Sequence, residues 1–270
     1  MKKQQKKINI DDLTIGDEYL FETILLRNKE LTKQLIEKLI DIPDIKDIEY
    51  ISVEDVHHNT HKNKGVRIDV YIKSQTGVAY IVELQRKDTK EIEKRMRYCQ
   101  AVSDSRQLPK GKSSPYKNLK DSYVIFICRE DIFGEGLYKY TFENICLELD
   151  GLKLKDGAYK IVFNTQGSKG DVCESILAFL NAIEGISSNN PLVKQLEAAA
   201  LEIKADEKWR EAYMQSILRD QDRFDAGREK EKIEIAEIMI RCGDSVDFIT
   251  ERTGLSAIEV EKLKEESLSN

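Results

Sequence analysis

The sequence predicts an α/β fold: a mixed central sheet flanked by helices, followed by an α-helical C-terminal extension. Three observations carry that prediction. Two alternating segments, 66–73 (VRIDVYIK) and 78–86 (VAYIVELQR), are separated by a short SQTG turn and read as a hairpin. An unbroken apolar run, SYVIFIC at 122–128, is what a strand covered on both faces requires. Helical periodicity precedes and follows this block, and beyond 191 it continues to the end with little strand character.

The elements follow in order. Residues 18–27 place Tyr19, Leu20, Phe21, Ile24 and Leu25 inward, Asn28 serves as break and cap, and 30–40 continue with Leu31, Leu35, Ile36, Leu39 and Ile40. Pro43 ends that run. Residues 46–56 read as extended and 57–65 (HHNTHKNKG) as a polar loop. In the hairpin, Val66, Ile68, Val70 and Ile72 share one face, and Arg67, Asp69, Tyr71 and Lys73 the other. On the second arm Ile81, Glu83 and Gln85 share a face, and Val82 and Leu84 take the opposite one. Residues 89–103 form a helix with Ile92, Met96, Cys99 and Val102 as its inward stripe and Glu93, Arg97 and Gln100 on an adjacent face. A basic loop over 105–121 leads to the apolar strand, with shorter strands near 137–149 and 159–165 and a helix over 171–184. GISSNNP at 185–191 is a linker signal, so a domain is expected over 13–185 and a helical region over 192–270. Within the latter, helices are read at 192–217 and 235–242 on either side of a very charged stretch, 219–234. Two short helices close the chain, the second opened by a Ser256/Glu259 capping box.

The composition narrows the function classes. No stretch approaches the ~18 consecutive apolar residues of a spanning helix, so no membrane association is expected. The basic start MKKQQKK lacks the apolar segment of a secretion signal. Five scattered cysteines with no CxxC pair suit reduced thiols in a cytoplasm. The formal net charge is −6, mildly against nucleic acid, yet Arg86 to Lys120 holds eleven Lys and Arg against four Asp and Glu. A solvated helix and loop accounts for that stretch equally well.

The chemistry centres on the hairpin. Asp69 and Glu83 lie 14 positions apart and face each other across the turn. Paired carboxylates repel unless a cation offsets them, and hard oxygen donors suit Mg²⁺ (or Mn²⁺). Such a metal activates water and stabilises charge on a phosphoryl oxygen. An Asp followed on the next strand by E-x-Q is a weak signal alone, and exposed ion-paired strand residues are its bland reading. The order of elements around it, α–β–β–β–α–β, strengthens it.

Several ordered blocks add a resemblance: LTIGDEYLFETIL at 13–25, KGVRIDVYI at 64–72, AYIVELQ at 79–85, KRMRYCQ at 94–100, YVIFIC at 123–128, YKYTFENIC at 138–146 and LKDGAYKIVFNTQG at 154–167. They resemble the Rpn group of recombination-promoting nucleases, also described as PD-(D/E)XK nuclease family transposases. The resemblance implies a restriction-endonuclease-like core and a metal-dependent DNA endonuclease. Asp69 and Glu83 match the metal-binding pair, the Leu84 carbonyl completes the ligand set, and Glu18 matches an acidic position before the Y-L-F of the first helix. Glu18 reads equally well as a first-turn acid favoured by the helix dipole. Gln85 stands where most PD-(D/E)XK enzymes carry Lys. It orients a water by hydrogen bonds but brings no charge, and Lys73 or Lys87 is the expected substitute. Arg97, Tyr98 and Gln100 match the polar face of the following helix, with a nucleic-acid-binding or a structural role. His57, His58 and His61 read as solvated loop residues, and Trp209 as a packed one.

The partners implied are DNA and, for a double-strand cut, a second copy in a homodimer. The alternative is a catalytically weak scaffold of the same fold that binds DNA or a protein. A transposase in the strict sense would need strand transfer, for which nothing in the sequence speaks. The closing pair of helices resembles a helix-turn-helix, but Glu259, Glu261, Glu265 and Glu266 would meet phosphates badly, which favours a packing or oligomerisation element.

Overall fold

A computed structural model of the chain describes residues 9–43, 45–51, 69–87, 90–108 and 115–268. They form two compact units, Met1–Asp206 and Glu207–Asn270. The first is the expected α/β fold. Its sheet contains, among the described residues, β1 (Ile48–Tyr50), β2 (Val70–Ser74), β3 (Ala79–Gln85), β4 (Ser122–Cys128), β5 (Lys139–Phe142) and β6 (Ala158–Asn164). The spatial order is β1-β2-β3-β4-β6-β5. β1, β2 and β3 run antiparallel, β3 pairs parallel with β4 and β4 with β6, and β5 returns antiparallel at the edge. The sheet is therefore mixed, as predicted, with its parallel part in the middle.

Burial on both faces explains the sequence pattern. β3 and β4 are buried at nearly every position, which is why SYVIFIC shows no alternation. One face carries Tyr71, Ala79, Ile81, Val124, Phe126 and Val162, packed under Ile92, Met96 and Cys99 of α3 (Ile92–Gln107). The opposite face meets α1 (Glu18–Arg27), which packs on β2 and β3. Around α1 lie α2 (Lys29–Ile40), α4 (Glu174–Ile183) and α5 (Pro191–Ala205). Leu20, Phe21, Ile24, Leu25, Leu35, Ile36 and Phe179 are fully buried in this layer, each worth about 1.5–3 kcal/mol of hydrophobic stabilisation.

Local chemistry sets the helix ends. The Asp17 carboxylate caps α1 by accepting the Leu20 N–H at 3.0 Å. Asn28 breaks α1 from α2, its side chain donating to the Ile24 carbonyl at 2.9 Å. Asp41, in the left-handed region (φ 57°), ends α2 just before Pro43. The polar loop 57–65, its three histidines and residues 52–56 of the stretch read as extended before it lie outside the described residues.

Two boundaries differ from the sequence reading. GISSNNP is a turn inside the first unit: α5, started by Asn190 and Pro191, folds back onto α1, α2 and α4. That unit therefore runs on to Asp206, whose extended backbone ends α5 and whose carboxylate takes Arg27 at 2.7 Å. The charged stretch 219–234 does not separate helices. It belongs to one 36-residue helix, α6 (Glu207–Cys242), because Glu, Lys, Arg and Gln are good helix formers even without a packed face.

In the second unit, the last part of α6 packs with α7 (Val246–Thr253) and α8 (Ala257–Leu268) around Ala236, Ile249, Leu255 and Val260. Ser256 and Glu259 make the expected reciprocal capping box, at 2.7 Å and 3.3 Å. Trp209 is buried and stacks on Tyr213 with ring centroids 5.2 Å apart. None of the five cysteines forms a disulfide. Among the described residues, no helix is long and apolar enough to cross a membrane.

Gly16 fixes where α1 begins. A Cβ there would lie 2.0 Å from the Ile183 carbonyl oxygen at the end of α4. Gly16→Ala is expected to cost about 2 kcal/mol or more of stability, read from the midpoint of urea unfolding.

Candidate active site at the carboxyl end of the central strands

In an open α/β sheet, sites form at the carboxyl ends of the parallel strands. Here that end holds Gln85 of β3 beside Cys128 of β4 and Asn164 of β6. The hairpin brings Asp69 to the same place. Val70 pairs with Val82, so one further antiparallel step sets Asp69 opposite Glu83. The Glu83 carboxylate accepts the Asp69 backbone N–H and is repelled by the Asp69 charge. The pairing expected from the sequence is thus present.

Glu83 is wholly buried. It shares the α3 face of the sheet with Ile81, and α3 supplies its partners. Arg95 forms an ion pair with its Oε2. The Arg95 guanidinium also lies 5.6 Å from the centre of the Phe126 ring, whose residue is Glu83's neighbour on β4. The Cys99 thiol faces Glu83 Oε1 at 3.9 Å. Loss of water, and then the Asp69 charge, push the Glu83 carboxyl up to about 8, against the opposing pull of Arg95. Burial, and then the nearby Glu83 charge, push the Cys99 thiol up to about 12, so it stays neutral.

Arg95 was not singled out in the sequence, yet its signal was there. It lies three positions after Ile92 and four before Cys99, on the sheet side of α3. A half-buried cation in that stripe answers the acid on the apolar strand facing it. Arg129 was missed as well. It follows β4, and its guanidinium grips Glu184 through two bonds of 2.9 and 2.7 Å. The Thr165 hydroxyl donates to the same carboxylate at 2.7 Å. This clamp ties the ends of β4 and β6 to the end of α4, so the parallel strands finish on a fixed platform.

The remaining predicted residues divide. Glu18 opens α1, and its Oε1 accepts the Arg86 N–H at 3.0 Å just after β3. It borders the pair and feels the Arg95 charge, while burial, the largest influence, raises its pKa. Gln85 is nearly buried and leans on the Leu84 carbonyl at 3.4 Å. Lys87, Arg97 and Tyr98 are exposed. Lys73 and Gln100 stand at the other end of the sheet. Lys73 pairs with Ala79 beside the hairpin turn, four residues from Asp69 and therefore about 13 Å along the strand. The Gln100 amide donates to the hydroxyl and carbonyl of Ser122, at the start of β4.

The donor set fits a hard divalent cation in part. Asp69 and Glu83 present carboxylates side by side, and the Leu84 carbonyl is adjacent in sequence. Among the described residues, no group of three His, Cys, Asp or Glu side chains is arranged so that it could hold a metal ion. A cation would therefore rest on two carboxylates plus backbone and water, with Arg95 already sharing one of them.

The family model described as PD-(D/E)XK nuclease family transposase matches residues 18–148. The match runs from Glu18 into the chain just after β5 and so includes the hairpin, α3 and β4. It bears out the family resemblance and the restriction-endonuclease-like fold, and it supports a nuclease-like role. No curated protein and no solved structure matches the chain.

The raised Glu83 pKa sets a pH dependence. A carboxyl that holds its proton more tightly when folded stabilises fully below its unfolded pKa, near 4.5, and loses that contribution as pH rises through about 8. Without divalent metal, melting temperature should therefore fall between pH 5 and 8.5. In Glu83→Gln the fall should be smaller, by on the order of 5 °C, as measured by calorimetry in EDTA.

Proposed function

We propose that the chain, whose residues 18–148 match the family model described as PD-(D/E)XK nuclease family transposase, is a divalent-metal-dependent DNA endonuclease that hydrolyses phosphodiester bonds. The observation that carries this reading is the Asp69–Glu83 pair, set across two strands beside the Arg95 guanidinium. Asp69, Glu83 and the Leu84 carbonyl would hold Mg²⁺ or Mn²⁺, with Glu18 at the border of the site. When bound, the metal supplies charge stabilisation at the phosphoryl oxygen and a more acidic water.

The chain's own residues account for the rest. Gln85 orients the attacking water through its amide. Arg95 supplies the fixed positive charge that Gln85 lacks, and its planar fork reaches a phosphate oxygen as well as Glu83. Lys87, exposed just after β3, and Arg97, exposed on α3, fit the role of backbone contacts that position DNA. Lys73 and Gln100, at the far end of the sheet, are given no part in catalysis. The chemistry suits a DNA cut in recombination, in mobile-element traffic or in defence against phage.

A second reading, a catalytically weak scaffold that binds DNA or a protein, draws on one observation. Arg95 already neutralises Glu83 in part, so the acidic strand can persist without metal. Metal binding separates the two readings.

The purified protein is expected to nick supercoiled plasmid in Mg²⁺ or Mn²⁺ and to stop in EDTA. Asp69→Ala and Glu83→Ala should each lower the rate by roughly 100-fold or more. Undiminished cutting by both variants would remove the pair from the mechanism. Absence of cutting together with absence of Mg²⁺ or Mn²⁺ binding in calorimetry would establish the scaffold. Arg95→Ala should lower the cleavage rate, and Arg95→Lys should restore part of it if charge is what it supplies.

A further inference from the structure

The Glu83 carboxylate has no exposed surface, whereas the Arg95 side chain paired with its Oε2 is 31% exposed. Cys99 and Phe126, which also border Glu83, are fully buried. On the α3 side Arg95 therefore stands between the carboxylate and solvent. The contact is one of charge alone: among the described residues, Glu83 Oε2 accepts no hydrogen bond. A buried oxygen of this kind is costly unless a cation faces it. Asp69 raises the demand, since its charge repels Glu83, and Glu18 lies near enough to feel Arg95 as well.

A guanidinium and a divalent ion make the same claim on Glu83. Oε2 offers its lone pairs to one or to the other, and two cations at contact distance repel. Arg95 can give way without any movement of α3. Its guanidinium rests 5.6 Å from the centre of the Phe126 ring, and rotation about its side-chain bonds carries the charge outward. A phosphate of a bound strand arrives from that outer side, and a guanidinium suits phosphate as well as carboxylate.

We infer, taking Asp69 and Glu83 as the metal ligands proposed above, that Arg95 is a built-in competitor of the metal. It fills the cation's place on Glu83 while no metal is bound, and turns outward to the phosphate when metal enters. Its two contacts are then made in turn, and Arg95 grips DNA only once metal is in place.

A neighbouring charge alters a carboxylate's hold on a cation by a factor of about 10 to 1000. Mn²⁺ is titrated into the DNA-free chain at pH 8 and read from the electron paramagnetic resonance of the unbound ion. It should bind Arg95→Gln at least about ten-fold more tightly than the unaltered protein. Arg95→Lys, which keeps the charge, should gain less. The site counted is the one that Asp69→Ala abolishes. Phenylglyoxal labelling of arginines, mapped by mass spectrometry, reads the same latch in the unaltered protein: saturating Mn²⁺ should speed modification of Arg95. Equal or weaker Mn²⁺ binding by a folded Arg95→Gln would overturn the proposal. So would Arg95 labelling that Mn²⁺ leaves unchanged or slows, and this alone decides if the variant fails to fold. Absence of Mn²⁺ binding in every form would overturn it together with the metal site. Plasmid left uncut by the unaltered protein, with tighter Mn²⁺ binding by Arg95→Gln, would remove the endonuclease and leave the latch in place.

Discussion

A carboxylate with no water around it is the constraint that organises the first unit. Glu83 sits in the middle of a sheet covered on both faces, where an ionised side chain is costly without compensation. The fold answers with Arg95, which α3 lays across β3 and β4, and with the Asp69 N–H from the neighbouring strand. Neither is enough to return the carboxyl to its ordinary range, because Asp69 adds a second negative charge. That residual tension is a liability for an inert structure. It is an asset for a site that takes up a cation and holds it against a phosphate.

The rest of the unit keeps those groups in register. α1 begins where Gly16 approaches the end of α4, and this sets Glu18 against the Arg86 N–H. The Arg129–Glu184–Thr165 clamp fastens the ends of β4 and β6 to that same helix end. α5, which the GISSNNP turn returns to the helical layer, buries Leu192, Val193 and Leu196 there. The hairpin is thereby supported from both faces by elements far from it in sequence. The second unit is organised more simply, by one small apolar cluster and a capping box.

The two ends of the sheet are chemically distinct. Where the parallel strands finish, acids, arginines and a buried amide converge. Where they start, Tyr80, Tyr123 and Tyr159 stack in a row across β3, β4 and β6, with centroids 5.6 Å and 4.7 Å apart. Burial, with nearby negative charge, pushes the Tyr123 hydroxyl up to about 12 and keeps it neutral. The row reads as structural, a cross-strand ladder that stiffens the sheet. Lys73 and Gln100 belong to this starting end, which is why residue type alone did not sort them correctly by distance from the acids.

The sequence by itself determined the class of fold, the hairpin, the covered strand, the helix caps and the pairing of Asp69 with Glu83. All of these follow from periodicity, turn chemistry and short-range register, which are local. It did not determine that Glu83 would be fully buried, that Arg95 rather than a lysine would answer it, or that Arg129 would lock the strand ends. Nor did it show that α5 belongs with the first unit. Those depend on which helix crosses which strand and on what covers each face. Such contacts join residues far apart in the chain, and only the assembled tertiary structure brings them within reach.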